Sequence, residues 1–246
     1  MVFSDYFIIS LFYFWASSTS FSLGIGYYTV YRPIMAGMVT GFILNNVQLG
    51  MLAGALVNII YIDFVSTGGS FKGDQCLTAI IAATATIVLN LHPLEGAAIA
   101  FPFGFLGILI WKYRLRINNI FVHMYEKNYS GKIASDISIY NGILPQLLLY
   151  LMSCLVTLAA LFLMFSLYNI LTYYINIDIA IFLYYIGLLL VVLSSFNILD
   201  KIHNKYNYII FATLFIITLI FDIRSYLLLI VLLFILVFIS DKKIFR

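Results

Sequence analysis

Residues 33–62 read PIMAGMVTGFILNNVQLGMLAGALVNIIYI, and this stretch decides the fold. It carries no formal charge. As one helix it would run about 45 Å at ~1.5 Å per residue, too long for a hydrocarbon core of about 30 Å at ordinary tilt. Asn45, Asn46 and Gln48 lie at its middle. Amides left in lipid without partners cost on the order of several kcal/mol. The segment is therefore expected to break near 45–48, its freed backbone groups lining a protein-enclosed cavity. Gly37 and Gly41 precede the break; Gly50 and Gly54 follow it. Each pair has the small-xxx-small spacing that lets helices approach closely. Asn58 extends the second row, so Gly50, Gly54 and Asn58 share one face. The plainer alternative is a glycine-rich helix pair that packs well and does nothing more.

The rest of the chain supports a membrane setting. Of 246 residues, 64% are apolar and 9% charged, and the mean hydropathy is +1.07. A soluble domain carries about 25% charge, so too few charges are present to cover a water-facing surface. A soluble enzyme, a nucleic-acid binder and a disordered chain are excluded on that ground. Apolar runs fall at about 7–31, 34–62, 76–91, 93–111, 143–169, 179–199, 206–221 and 225–240. The expectation is an all-α polytopic membrane protein. Three parts are foreseen: 28–111 with the glycine-rich segment, 112–142 at the interface, and 143–240 as a helical C-terminal half. The last two runs are short, and tilted neighbours, broken segments and a hairpin are equally open for them.

Charge sets an orientation. Thirteen Lys and Arg stand against ten Asp and Glu. With 112–142 in the cytoplasm and four spans following, ten of the thirteen basic residues fall inside, and the C-terminus is cytoplasmic. Arg224 alone lies in the two outer turns of that half. Within 112–128, Ile117, Ile120, Phe121 and Met124 follow i, i+3, i+4, i+7 spacing, which reads as a helix lying in the cytoplasmic membrane interface, either docking a partner or serving as a plain connector. His123 near that stripe is read as structural, with no second ligand at metal-binding spacing. Cys76 and Cys154 sit far apart in apolar runs and do not suggest a disulfide framework. The first residues lack the positive region of a cleavable signal.

Polar residues gather just after the decisive stretch: Asp63, Ser66, Thr67, Gly68, Gly69, Ser70, Lys72, Asp74 and Gln75. A glycine pair between hydroxyl residues reads as a turn with exposed N–H groups. An acid at membrane depth is a functional-site hypothesis. Asp63 is such an acid if buried; the other reading ends the span there, with Lys72 and Asp74 in water. Carboxylates, amides and hydroxyls together suit a ligand rich in hydroxyls, such as a sugar. No phosphate loop, nucleophile with a base, or metal cluster accompanies them. Cofactors are expected to be none.

These residues resemble a known family, the IIC permease subunit of the mannose–fructose–sorbose class of bacterial sugar phosphotransferase systems. The resemblance runs through Arg32-Pro33, Gly54-Ala55-Leu56-Val57-Asn58-Ile59, Phe64-Val65-Ser66-Thr67-Gly68-Gly69-Ser70 and Lys72-Gly73-Asp74. It continues through Glu95-Gly96-Ala97-Ala98-Ile99-Ala100, Pro102, Gly104 and Gly107 to Arg116, Asn118, Phe121 and His123. It covers roughly residues 25–125; the C-terminal half matches only in length and hydropathy. Where the family has Leu-Gly-Asp, this chain has Leu44-Asn45-Asn46. The family's usual Glu is Asn58, a following glycine is Asp63, and two prolines are Lys72 and Gly73. Gly187 is a candidate remnant of a later glycine-rich helix.

The resemblance implies an inverted-repeat, elevator-type transporter of the bacterial cytoplasmic membrane. It implies a bound sugar (a hexose or amino sugar), a IID membrane partner in an oligomer, and soluble IIA and IIB phosphocarriers. Nucleic acid is not among the partners, and no phosphoryl-carrying histidine is required of this chain. Carried over by position, the sugar contacts are Thr29, Asn58, Ser66 and Asp74, with Asp63 restoring the negative charge lost at Asn58. Asn45, Asn46, Gln48, Gly68 and Gly69 are structural or gating candidates. Two alternatives stand beside this: a proton-coupled secondary transporter using Asp63, and a degenerate non-transporting paralogue.

Overall fold

A computed structural model describes residues 3–18, 29–62, 73–128, 139–174 and 178–201. Asp63, Ser66, Gly68 and Gly69, the two C-terminal apolar runs and the basic tail lie outside the described residues. The elements are all helical: α1 (Phe3–Ser17), α2 (Pro33–Ile43), α3 (Val47–Tyr61), α4 (Gln75–Val88), α5 (Pro93–Ala100), a 3-10 turn (Phe101–Phe103), α6 (Gly104–Asn128), a π-helical turn (Ile139–Ile143), α7 (Leu144–Tyr174) and α8 (Ile179–Lys201). Two compact units are present, Met1–Ser194 and Ser195–Arg246.

The expected break is present. Pro33 opens α2 at its first turn, where a missing N–H costs nothing, and Arg32 before it is extended. Eleven residues later the chain turns at Leu44–Asn46 and starts α3. Asn45 takes φ 59°, a left-handed conformation that asparagine tolerates. The Asn46 N–H donates to the Gly41 carbonyl at 2.8 Å, and its side chain caps α3 by accepting the Leu49 N–H at 3.2 Å. The four glycines let α2 and α3 touch backbone to backbone. A Cβ on Gly50 would lie 2.7 Å from the Gly41 Cα, and one on Gly54 3.1 Å from the Ile34 Cα. At about 16 and 22 Å, neither helix crosses a bilayer by itself; they form a re-entrant hairpin. One expectation needs correction. Of the groups freed by the break, the Asn46 N–H and the Leu49 N–H are taken up by the turn and the cap, and Asn45 and Gln48 are exposed and not enclosed by the described residues.

Helix α4 is buried on every side from Cys76 to Thr86, because alanine, threonine and isoleucine there let α2, α3 and α5 close around it. His92 caps α5 through its Nδ1, which accepts the Leu94 N–H, while Glu95 accepts the His92 N–H at 2.9 Å. Pro93 follows at the first helical position.

A second correction concerns 112–128. It is not a separate interfacial helix. Between Gly104 and Asn128 no proline or helix stop intervenes, so α6 continues through it as one helix of 25 residues. Arg114 lies 3.8 Å from the Trp111 ring centroid across one turn of this helix. Ile120 and Met124 of the predicted stripe are exposed, while Ile117 and Phe121 are half-buried. His123 does have a carboxylate partner, the exposed Glu126 at 3.2 Å.

Segments Pro93–Lys127, Leu144–Tyr174 and Ile179–Asn197 are long and apolar enough to cross a membrane. Helix α1 packs antiparallel on α7: Tyr6 meets Phe165, Phe14 meets Tyr150, and the Ser18 hydroxyl donates to Gln146 at 2.7 Å. Gly187 of α8 sits against the Leu94 carbonyl at the start of α5, and the Ser194 hydroxyl donates to the Ile60 carbonyl at 2.9 Å. Within the compact unit Met1–Ser194, α2 to α5 form one bundle, and α1 and α6 each pack on α7 as a second, joined by contacts of α4 with α1, α6 and α7, of α1 with α2 and of α5 with α7.

Candidate functional site

The site begins at the α2–α3 hairpin. Its glycine row draws α3 onto α2, which leaves Asn58 half-buried at the flank while Val57, Ile60 and Tyr61 point into the core. An amide here both donates and accepts, which suits a hydroxyl-bearing ligand. Thr29 is exposed in the turn leading to α2, and its carbonyl accepts the Arg32 N–H at 3.2 Å. Asp63 and Ser66 belong to the connection between α3 and α4, outside the described residues.

Asp74 is the second described residue after that connection, and its contacts among the described residues are as follows. It is 1% exposed, which removes the reading that put it in water. As the N-cap of α4 it accepts the Leu77 N–H at 2.9 Å on Oδ1. The Tyr13 hydroxyl of α1 donates to Oδ2 at 2.6 Å, and the Tyr31 hydroxyl lies beside the same carboxylate. The Asp74 N–H donates to the Gly104 carbonyl at 2.9 Å. Its carbonyl accepts the Thr78 hydroxyl at 2.8 Å; that hydroxyl's one proton is then used, so Tyr61 donates to Thr78 across 3.0 Å. Gly104 and Gly107 fit because any Cβ at Gly104 would strike Thr78 and Tyr61, and any at Gly107 would strike the Asp74 side chain.

The five expected site residues therefore divide. Thr29, Asn58 and Asp74 are described, and of these Asp74 sits in a dense polar network whose described members bond to one another. Sequence reasoning missed Tyr13, Tyr31, Tyr61 and Thr78 as its partners. Tyr13 lies 61 positions from Asp74, so no local spacing could pair them. The available signal was weak: an acid buried in an apolar chain must find hydroxyl or N–H donors somewhere. Among the described residues no group of His, Cys, Asp and Glu is arranged to hold a metal ion.

Paired short helices, long apolar helices and a buried polar network define a multi-pass helical membrane protein. Comparison with known proteins makes the assignment narrower. Residues 3–239 match the model of the family described as "PTS system sorbose-specific IIC component", and the chain belongs to that family. The sorbose-specific EIIC component of Klebsiella pneumoniae is 28% identical over 100 residues, 41% of this chain and 38% of that protein. That of Lacticaseibacillus casei is 24% identical over 119 residues, 48% of this chain and 43% of that protein. These matches thus span less than half the length of either relative. In three dimensions the fold is similar to a solved membrane protein with TM-score 0.71 and 17% identity, over all of this chain and 99% of the other. It is also similar to a chain in the cryo-EM structure of the mannose transporter ManYZ with microcin E492, with TM-score 0.53 and 18% identity, over all of this chain and 96% of that one.

Proposed function

We propose that this chain is the sugar-translocating membrane subunit of a phosphoenolpyruvate-dependent phosphotransferase system. The observation that carries the reading is the family match over residues 3–239 on a chain whose glycine hairpin holds a half-buried amide, Asn58, at its flank. Asn58, Asp63, Ser66 and Thr29 contact a hexose or amino sugar, with hydroxyl pairs of the ring exchanging hydrogen bonds with amide, carboxylate and hydroxyl groups. Asn at position 58 offers one donor group and one acceptor but no charge, and Asp63 supplies the charged acceptor. A IID subunit completes the membrane complex, soluble IIA and IIB proteins bring the phosphoryl group, and phosphorylation on arrival traps the sugar by charge. The complex sits in the bacterial cytoplasmic membrane with the C-terminus inside, and the re-entrant hairpin travels with the bound sugar in an elevator-type cycle.

The test is phosphoenolpyruvate-dependent uptake of hexoses and amino sugars by cells carrying the whole system. Asn58→Ala and Asp63→Ala are each expected to lower uptake at least about tenfold, the loss of roughly one strong hydrogen bond per substitution. Unchanged uptake in both variants removes these residues from the site. Uptake that follows a proton gradient and ignores phosphoenolpyruvate removes the phosphotransferase reading.

A further inference from the structure

Asp74 is buried and its carboxylate is already engaged, so its position asks for a role other than holding a ligand. Its partners come from both helix bundles. The Leu77 N–H and Thr78 belong to α4, in the α2–α5 bundle; the Tyr13 hydroxyl belongs to α1, packed on α7. Its N–H reaches the Gly104 carbonyl, immediately after the Phe101–Phe103 turn where the chain passes from one bundle to the other. A 3-10 turn with Pro102 inside an otherwise helical rod is where such a rod bends most easily. Gly107 packs against the Asp74 side chain so closely that no ligand atom fits between them.

We propose that Asp74 is a positioning residue. Its hydrogen bond with Tyr13 is a latch that holds the α2–α5 bundle against α1 across the 3-10 turn at Phe101–Phe103. The latch must release for the Asn58-bearing hairpin to change its position relative to α1 and α7. This rests on the permease reading for its purpose, but not for its measurement. Tyr13 and Asp74 are 0% and 1% exposed, so the bond is shielded from competing water and its loss is felt in full.

The experiment is a distance measurement between two spin labels in the full-length chain in lipid nanodiscs, without sugar. The labels replace Leu11 on α1 and Leu52 on α3, both exposed, in a Cys154→Ser background in which Cys76 stays buried. Tyr13→Phe keeps the ring and removes only the hydroxyl. It is expected to raise the population of a second, separated distance about five- to a hundredfold, the range for leaving one buried hydrogen-bonding group unsatisfied. Asp74→Asn is expected to do the same, and the double variant no more than either alone. One distance distribution shared by parent and Tyr13→Phe overturns the latch, whether or not Asp74→Asn folds. Equally, sugar binding to the assembled complex, measured by calorimetry, that is lost in Asp74→Asn and intact in Tyr13→Phe makes Asp74 a ligand and overturns the proposal. Absence of phosphoenolpyruvate-dependent uptake in the parent system would sink the permease reading and leave the distance result standing.

Discussion

A single methyl group at Gly50 tests the hairpin. In Gly50→Ala the new Cβ would stand against the Gly37 carbonyl, 2.7 Å from the Gly41 Cα and 2.9 Å from the Gly41 N. Comfortable carbon–carbon contact lies near 3.5–4.0 Å, so α2 and α3 must part by roughly 1 Å. All three obstructing groups are backbone, so no side chain can swing aside. Overpacking of this kind costs about 1–3 kcal/mol. Alanine recovers up to about 1 kcal/mol through its better helix propensity. The net expectation is a destabilisation of about 1–2 kcal/mol, or roughly 2–8 °C in Tm for a chain of this size. Gly142→Ala is the control, since nothing lies within 4 Å of a Cβ there; it should be neutral to stabilising by up to about 1 kcal/mol. Thermal unfolding of the two purified variants beside the parent, under one detergent condition, makes the comparison. If Gly50→Ala unfolds at or above the parent temperature, like Gly142→Ala, then the two helices are not held at backbone contact and the hairpin is misdescribed.

Four other substitutions probe the turns and helix starts. Asn46→Ala removes the side chain that accepts the Leu49 N–H and should cost about 1 kcal/mol, while Asn45→Val, which forces a β-branched residue to φ 59°, should cost at least as much and Asn45→Gly little; melting curves of the three variants rank them. His92→Ala breaks the capping box at α5 and should lower stability by about 1 kcal/mol without altering the sugar specificity of uptake; a change in specificity would place His92 nearer the site than its role at the helix start allows.

The amino-acid sequence by itself determined the solvent. With so few charges, only lipid and protein can surround most of this chain, and backbone groups in lipid must bond within helices. It also located the break: three amides amid apolar residues, with glycines four apart on each side, leave an interrupted helix as the low-cost solution, and the chain stops α2 and starts α3 there. Pro33 and His92-Pro93 announced two helix starts because capping is decided within a few residues. Tertiary structure decided what lay beyond that range. The predicted interfacial helix merges into α6, because periodicity shows a face but not whether the helix before it stops. The burial of Asp74 depends on Tyr13, 61 residues away, and on the glycines of α6 that leave room for its side chain. An isolated aspartate reads the same whether it meets water, a ligand or a tyrosine, since its local sequence does not specify the distant chain that completes its hydrogen bonds.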